Sequence, residues 1–423
     1  MPHLSRGRKA AQGVGDLDQN WDNSCEWKGD AMERAWLLVV LLAFSSMAML
    51  TEPSDLSAQA VPLSGPLAFL VGPLTPMGIS AYDLLQLTQG AAFTCGSASS
   101  HAYPEFAGDN VGSNFYDLAL SLYLLYYRTG DTAWRDCARL VAKNWRDDPL
   151  NQNINAYLSG NYSLSVPPPR SFSTLGLAIF ALEAGDSSTA GLRSTATIVN
   201  DQARLGESYF SRYTGSGCCD TREAAYSLTA QIAATLLGYD HRPAASSLLN
   251  SFLAAQQPNG CWQDTQLNLV PAGPYVLNYM QGLLMETMIL YDRAIGDSRI
   301  VPAMQACVAW EWATQWVPGP TATSILNAFQ YADIDSGSVN TKPYANLNGL
   351  LLPAWGYLYQ KTGNAAYKAQ GDQILAGLIS PGPDGSYGIY EVKQFDQMFR
   401  SSPRYLGWTA GTKPTTPTNL TVR

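Results

Sequence analysis

Charge is what this sequence has least of. Asp, Glu, Lys and Arg make up 14% of its 423 residues, and the formal net charge is −8 with a pI near 4.9. Charge this sparse excludes a disordered or coiled-coil chain, and the acidic balance leaves no basic face for a nucleic-acid partner. Histidine is nearly missing, with three in the whole chain. No C-x-x-C pair and no histidine cluster occurs, so the residues offer no zinc site, and neither a metal nor another cofactor is expected. A comfortable membrane span is lacking too. The apolar run Trp36 to Leu50 falls short of the ~20 residues that a spanning helix needs.

That run follows Arg34 and is itself followed by Ala58-Gln59-Ala60, which has the small-x-small form of a cleavage site. Residues 1–60 therefore read as an export signal region, with Met32 as the expected start. The body is expected to be secreted or periplasmic, with no stable membrane insertion once the signal is removed; an uncleaved anchor is the alternative. Of the seven cysteines, Cys137 and Cys307 fall at core-facing helix positions and read as small hydrophobes. Cys218, Cys219 and Cys261 lie in two loops that one disulfide would join.

What is present is a large apolar share, 46%, and many aromatics, with 23 Tyr and 11 Trp. The stretch Gly112 to Asp148 shows how they are used. Its first half carries two apolar rows, Leu118, Leu122 and Leu125 with Tyr116, Ala119, Tyr123 and Tyr126, which together cover most of a helix. That pattern belongs to a helix buried on nearly every side. In its second half Trp134, Cys137, Ala138, Val141 and Trp145 form one stripe, with Arg135, Asp136, Arg139, Lys143 and Arg146 opposite. That is a covering helix. Between them Gly130 stops one helix and Asp131 caps the next.

The hairpin recurs. Turns of the same type stand at Asp186, Asp240, Asp297 and Asn364, at intervals of 54–67 residues. The spacing predicts buried helices over 171–185, 221–239, 275–295 and 344–362, with outer partners over 190–213, 243–256, 299–316 and 365–379. A last apolar helix, 393–408, makes a sixth inner element, and the helix near 79–91 supplies its outer partner and closes a ring. Residues 61–78 form a Pro/Gly-rich lead-in. Residues 411–423, GTKPTTPTNLTVR, form a Pro/Thr linker resembling the start of a fibronectin-type-III-like module, a truncated β-sandwich.

Loop lengths sort the two ends of the ring. Inner-to-outer turns have about four residues, whereas the returns are long: 101–113, 151–170, 215–220, 259–274, 319–343 and 380–391. All the long ones precede inner helices, so they gather on one face, where function is expected.

Hairpins such as NFYDLALSLYLLYYRTGDTAW, NYMQGLLMETMILYDRAIGDSRI and NLNGLLLPAWGYLYQKTGNAAY resemble the six-hairpin (α/α)6 toroid superfamily of glycoside hydrolases and polysaccharide lyases, with no specific family matched. The resemblance covers residues 79–410. It implies an all-α toroid whose groove, at the N-terminal ends of the inner helices, takes an oligo- or polysaccharide. Asp109 and Glu223 are the expected catalytic pair, because hydrolysis of a glycosidic bond needs one acid and one base or nucleophile. Tyr103, Arg222, Trp262, Asp264, Tyr331, Asp335, Tyr390 and Lys393 are expected to bind the substrate, the aromatics by stacking on sugar rings. Tyr275, Tyr344 and Tyr387 lie in the same loops.

Three alternatives stand beside hydrolysis. A lyase or uronate epimerase would use His101 or a tyrosine as base and arginines such as Arg170, Arg222, Arg400 and Arg404 to hold a carboxylate. A toroid that binds glycan without catalysis is the second. The third is an isoprenoid cyclase-like protein, since QQPNGCWQD resembles one copy of the Gln…Gly-x-Trp repeat of those enzymes.

Overall fold

The computed structural model describes residues 61–78, 80–93, 116–185, 191–213, 221–264, 275–319, 327–335, 340–381, 387–389 and 392–410. They all belong to one compact unit spanning 57–423. The expected export signal at 1–60 and the linker at 411–423 lie outside the described residues.

The first hairpin shows the local rule. Helix α3 (Leu118–Thr129) is buried along nearly its whole length, and α4 (Thr132–Asp147) buries one stripe. Gly130 adopts φ 73°, a left-handed conformation that glycine reaches without a Cβ penalty, and its N–H returns to the Tyr126 carbonyl at 2.7 Å. Asp131 then accepts the Ala133 N–H at 2.9 Å and starts α4. The same cap recurs at Asn364, which accepts the Ala366 N–H at 3.0 Å, whereas Asp240 and Asp297 stand ahead of the capping positions of the helices that follow them and accept the N–H groups of Arg242 and Arg299. At each of these described turns the acid or amide accepts an N–H at the start of the new helix; the turn expected at Asp186 lies outside the described residues.

Among the described residues the inner ring is α3, α6 (Thr174–Ala184), α8 (Thr221–Leu236), α10 (Asn278–Ala294), α12 (Asn348–Thr362) and a broken sixth element, α14 (Val392–Phe399) with α15 (Ser402–Thr409). The outer ring is α4, α7 (Thr195–Tyr213), α9 (Arg242–Ala255), α11 (Ile300–Thr314), α13 (Ala365–Leu378) and α2 (Ala81–Phe93). Each inner helix packs on the next, α14 packs back on α3, and α2 covers the seam between α14 and α3. The ring is closed, and the architecture is an all-α (α/α)6 toroid. Gly282 and Gly349 allow the inner helices to touch. A Cβ on Gly282 would lie 2.5 Å from the Leu350 carbonyl oxygen, and one on Gly349 would overlap the Met398 carbonyl.

Several elements differ from the sequence reading. Residues 393–408 are two short helices, because Pro403 lacks the N–H that a continuous helix would use and its ring would clash with the Phe399 carbonyl. The connection 151–170 is partly helical: α5 (Pro149–Leu158) starts where Asp148 caps the Leu150 N–H at 2.8 Å. Residues 61–78 are more than a Pro/Gly-rich lead-in. They carry α1 (Gly65–Val71), which lies against α6 and α10. The Val61 N–H donates to the Tyr127 carbonyl and the Met77 N–H to the Arg128 carbonyl, both at the C-terminal end of α3. This segment therefore closes the short-turn end of the ring. Cys307 is not a lone hydrophobe, since it forms a disulfide with Cys261, and Cys137 is disulfide-bonded as well.

One buried acid makes a pH-dependent prediction. Glu311 on α11 is fully buried, and neither carboxylate oxygen has a hydrogen-bond partner among the described residues. Burial raises its pKa well above the ordinary value. Its folded pKa exceeds the unfolded one, so its contribution is fully present below the unfolded carboxylate pKa of about 4.3 and is lost as pH rises toward the folded value. Glu311→Gln is expected to raise Tm at pH 8 and to leave it unchanged near pH 4. A variant less stable than the parent at pH 8 would contradict this.

Candidate functional site

The long-loop end of the ring is built as a backbone patchwork. Strand β1 (Trp316–Val317) pairs antiparallel with β2 (Ala328–Phe329), and isolated bridges join Asp264 to Tyr275, Leu277 to Ala332, and Gln330 to Pro343. Asn278 Nδ2 donates to the Gln330 carbonyl at 2.7 Å, and the Tyr331 N–H donates to the Lys342 carbonyl at 2.9 Å. Loops tied down this way hold side chains in fixed positions.

Arg222 and Glu223 occupy the first turn of α8, both buried. Glu223 faces two guanidinium groups: Arg222 Nε at 3.6 Å and, from the short 3-10 turn 169–171, Arg170 Nη1 at 3.9 Å. One turn further along α8, Tyr226 is buried, and its hydroxyl accepts from Arg400 Nη1 at 3.2 Å. Tyr279 opens α10. Its hydroxyl lies 3.5 Å from that of Tyr331, and their ring centroids are 5.2 Å apart. Burial raises the Tyr279 hydroxyl well above its usual range, Tyr331 adds to the rise, and Arg222 opposes it. Burial likewise raises the Tyr226 hydroxyl well above its usual range, with Arg400 and Arg222 opposing the rise. Arg222, Glu223, Arg170, Tyr226, Tyr279 and Tyr331 therefore form one cluster at the N-terminal ends of α8 and α10.

Below the cluster a polar column runs down the ring axis. Glu286 of α10 takes Arg400 Nη2 at 3.2 Å, Arg404 Nη1, and the Ser401 hydroxyl at 2.8 Å. Arg404 then donates to the carbonyls of Val71 at 3.0 Å and Leu70 at 2.9 Å in α1. Burial works against the charge of Arg400, but Glu286 and Tyr226, with Asp117 and Asp396, hold its pKa above the usual value. Burial raises the Asp396 carboxyl well above the ordinary carboxylate range, with Asp117 adding to the rise while Ser121 and Arg400 oppose it. Asp117 caps α3 with φ 68°, accepting the N–H groups of Leu120 at 3.2 Å and Gly176 at 3.0 Å, so it ties α3 to α6.

Of the residues named from sequence, Tyr103, Asp109, Tyr390 and the alternative base His101 lie outside the described residues. The structure brings Glu223, Arg222 and Tyr331 together. Lys393 is half-buried on the first turn of α14, and Asp335 is exposed in the loop after Tyr331. Two expectations are corrected. Trp262 is only 3% exposed; its indole N–H donates to the Phe252 carbonyl at 2.8 Å, and its backbone is held at both sides by Gln281, at 3.0 and 2.9 Å. It anchors a loop and presents no ring face to a sugar. Asp264 is fully buried, accepting the Thr221 N–H at 2.6 Å and the Thr221 hydroxyl, and so caps α8 from a distant loop. The motif around Trp262 is explained in the same way, since Gln256 Nε2 closes its turn on the Gly260 carbonyl at 2.6 Å and reaches the Ala303 carbonyl at 2.8 Å.

Tyr226 and Tyr279 escape a sequence reading that searches loops, because both sit on helices buried all round. Their signal is the cluster of polar groups at the starts of those helices, Arg222-Glu223 and Asn278. Among the described residues no group of three or more His, Cys, Asp or Glu is placed to hold a metal ion, and no helix is long and apolar enough to cross a membrane.

The sequence matches no family model and no curated protein. Solved structures share the fold. The Lin0763 protein of Listeria innocua superposes with a TM-score of 0.50 at 12% identity, over 81% of this chain and 97% of that one. A variant of UGL with dGlcA-Glc-Rha-Glc gives 0.52 at 10% identity, over 72% and 90%. An inactive variant of an alpha-1,6-mannanase of Salegentibacter sp. HEL1_6, in complex with alpha-1,6-mannotetrose, gives 0.50 at 10% identity, over 77% and 98%. At such identities the likeness shows the fold: this chain is similar to the six-hairpin (α/α)6 toroids.

Proposed function

We propose that the protein is an exported carbohydrate-active enzyme that hydrolyses glycosidic bonds at the long-loop end of its toroid. The observation that carries this reading is the cluster of Glu223, Arg222 and Arg170 beside Tyr279 and Tyr331, set at the N-terminal ends of inner helices whose other end α1 closes. A carboxylate fixed on a helix serves as base or nucleophile, and the acid partner in this reading is Asp109. Tyrosine rings offer flat apolar faces with polar edges, which suit the C–H faces and hydroxyl rims of sugars. The Cys261–Cys307 disulfide supports work in an oxidising compartment, in keeping with an export signal.

One contact favours a second reading. Arg400 donates to the Tyr226 hydroxyl at 3.2 Å and partly offsets the rise that burial imposes on it, and a phenol paired with a guanidinium is a candidate base for β-elimination of a uronate. The test is a panel of alpha-1,6-mannan, xylan, β-glucan, polygalacturonate and hyaluronan. Products are read as reducing ends and as the absorbance of unsaturated uronate. Hydrolysis gives reducing ends alone. Unsaturated product transfers the reaction to Tyr226 and the arginines, and glycan retained without product leaves a binding protein.

A further inference from the structure

We propose that Tyr331 and Tyr344 form a distal subsite, which makes this an enzyme of oligosaccharide chains rather than of disaccharides. The inference rests on the carbohydrate reading above and adds where the chain runs. Tyr279 is buried next to Arg222, Tyr331 is half-buried, and Tyr344 is 38% exposed, so the three rings lead from the Arg222–Glu223 cluster to the surface. The steps between ring centroids are 5.2 and 5.7 Å. Tyr344 stands edge to face on Tyr331 at 71°, which turns the path outward.

The mounting is rigid. The Asn278 N–H donates to the Tyr331 carbonyl at 3.2 Å, and the Tyr344 N–H donates to the Phe329 carbonyl at 3.2 Å. Every ring is thus carried by the cross-bridged backbone beside α10 and α12. Tyr387 is 36% exposed, and its neighbour Gly388 accepts from Asn346 Nδ2 at 3.1 Å, so a further tyrosine belongs to the same rim. A tyrosine ladder that rises from a buried charged cluster to an exposed ring fits one occupant: a chain of sugar rings, each presenting an apolar face to a ring and hydroxyls to its edge. A purely apolar partner would leave the tyrosine hydroxyls unmatched.

The experiment compares Tyr344→Ala with the parent. The probes are the panel polysaccharide that the parent acts on and its disaccharide and tetrasaccharide. Because Tyr344 is exposed, Tm is expected to stay within error. Activity on the tetrasaccharide is expected to fall about 5- to 10-fold in kcat/KM, mostly through KM, while activity on the disaccharide is unchanged. In affinity gels cast with the polysaccharide, the variant is expected to lose the parent's retardation. Equal effects on both lengths, or unchanged retardation, overturn the subsite while leaving the enzyme reading intact. A parent that neither cleaves nor is retarded by any panel member overturns both.

Discussion

Glu286→Ala is expected to lower Tm by on the order of 10 °C or to abolish folding. Glu286 is 4% exposed and sits between two buried guanidinium groups, with Arg400 Nη2 at 3.2 Å and Arg404 in direct contact. Removing it leaves two cations inside the ring without the carboxylate between them. Breaking a buried ion pair from one side costs roughly 3–5 kcal/mol, a large fraction of a typical total of about 5–15 kcal/mol. The neighbouring acids are poor substitutes, since burial raises the pKa of both Asp117 and Asp396. Thermal melts of the variant check this directly. The triple change Glu286→Met, Arg400→Leu, Arg404→Leu separates charge from packing, because apolar groups of similar volume often tolerate the loss of a whole buried ion cluster. It is expected to be more stable than Glu286→Ala alone. An alanine variant within about 1 kcal/mol of the parent would show that the column contributes nothing to stability.

The same column explains what the sequence hid. Glu286 and the Arg400–Arg404 pair lie on two inner elements more than a hundred residues apart, Glu286 as a lone charge among apolar neighbours and the arginines on either side of Ser401-Ser402-Pro403. Only closure of the ring brings them together, and no local pattern encodes that meeting. Helix α1 is a related case. Its sequence, GPLAFLV, is short and flanked by prolines, and it is held from outside: Arg404 binds its last carbonyls, and Arg293 binds the Phe69 carbonyl at 3.1 Å while lying over the Phe69 ring at 4.5 Å. A helix of that length gains its stability from docking rather than propensity.

The hairpin turns are legible in the sequence because their physics is local. Gly130-Asp131 and Gly363-Asn364 each combine a left-handed glycine with a cap two residues before its donor, and both parts are visible in the letters. The sorting of long and short loops likewise follows from chain order and marks the open end. Residue roles within the long loops were harder to assign. Trp262 and Tyr344 look alike as loop aromatics, yet one is buried with its N–H bonded to a carbonyl and the other is exposed. Asp264 and Glu223 look alike as acids of the long-loop face, yet Asp264 is consumed by the donors of Thr221. Pro403 carries a local signal against a continuous helix over 393–408, and the sixth element breaks just before it.

The second large effect is expected at Glu223. Under the hydrolytic reading, Glu223→Gln removes the negative charge that serves as base or nucleophile while keeping nearly the same shape. Loss of such a group lowers turnover by about 10²- to 10⁴-fold. KM is expected to change much less, because the tyrosines that this reading assigns to sugar binding are untouched. Glu223 packs between Arg170 at 3.9 Å and Arg222 at 3.6 Å. Glutamine keeps the volume and one carbonyl oxygen of Glu223 there, so the expected cost in stability is roughly 1–2 kcal/mol. Asp109→Asn is the companion variant and is expected to fail on substrates with poor leaving groups while retaining activity on an activated aryl glycoside, as loss of a proton donor requires. Measured turnover of the two variants on both kinds of substrate assigns the roles. If Glu223→Gln turns over like the parent, or Tyr226→Phe is the inactive variant instead, the carboxylate-pair mechanism falls and the tyrosine–arginine contact becomes the site of the chemistry.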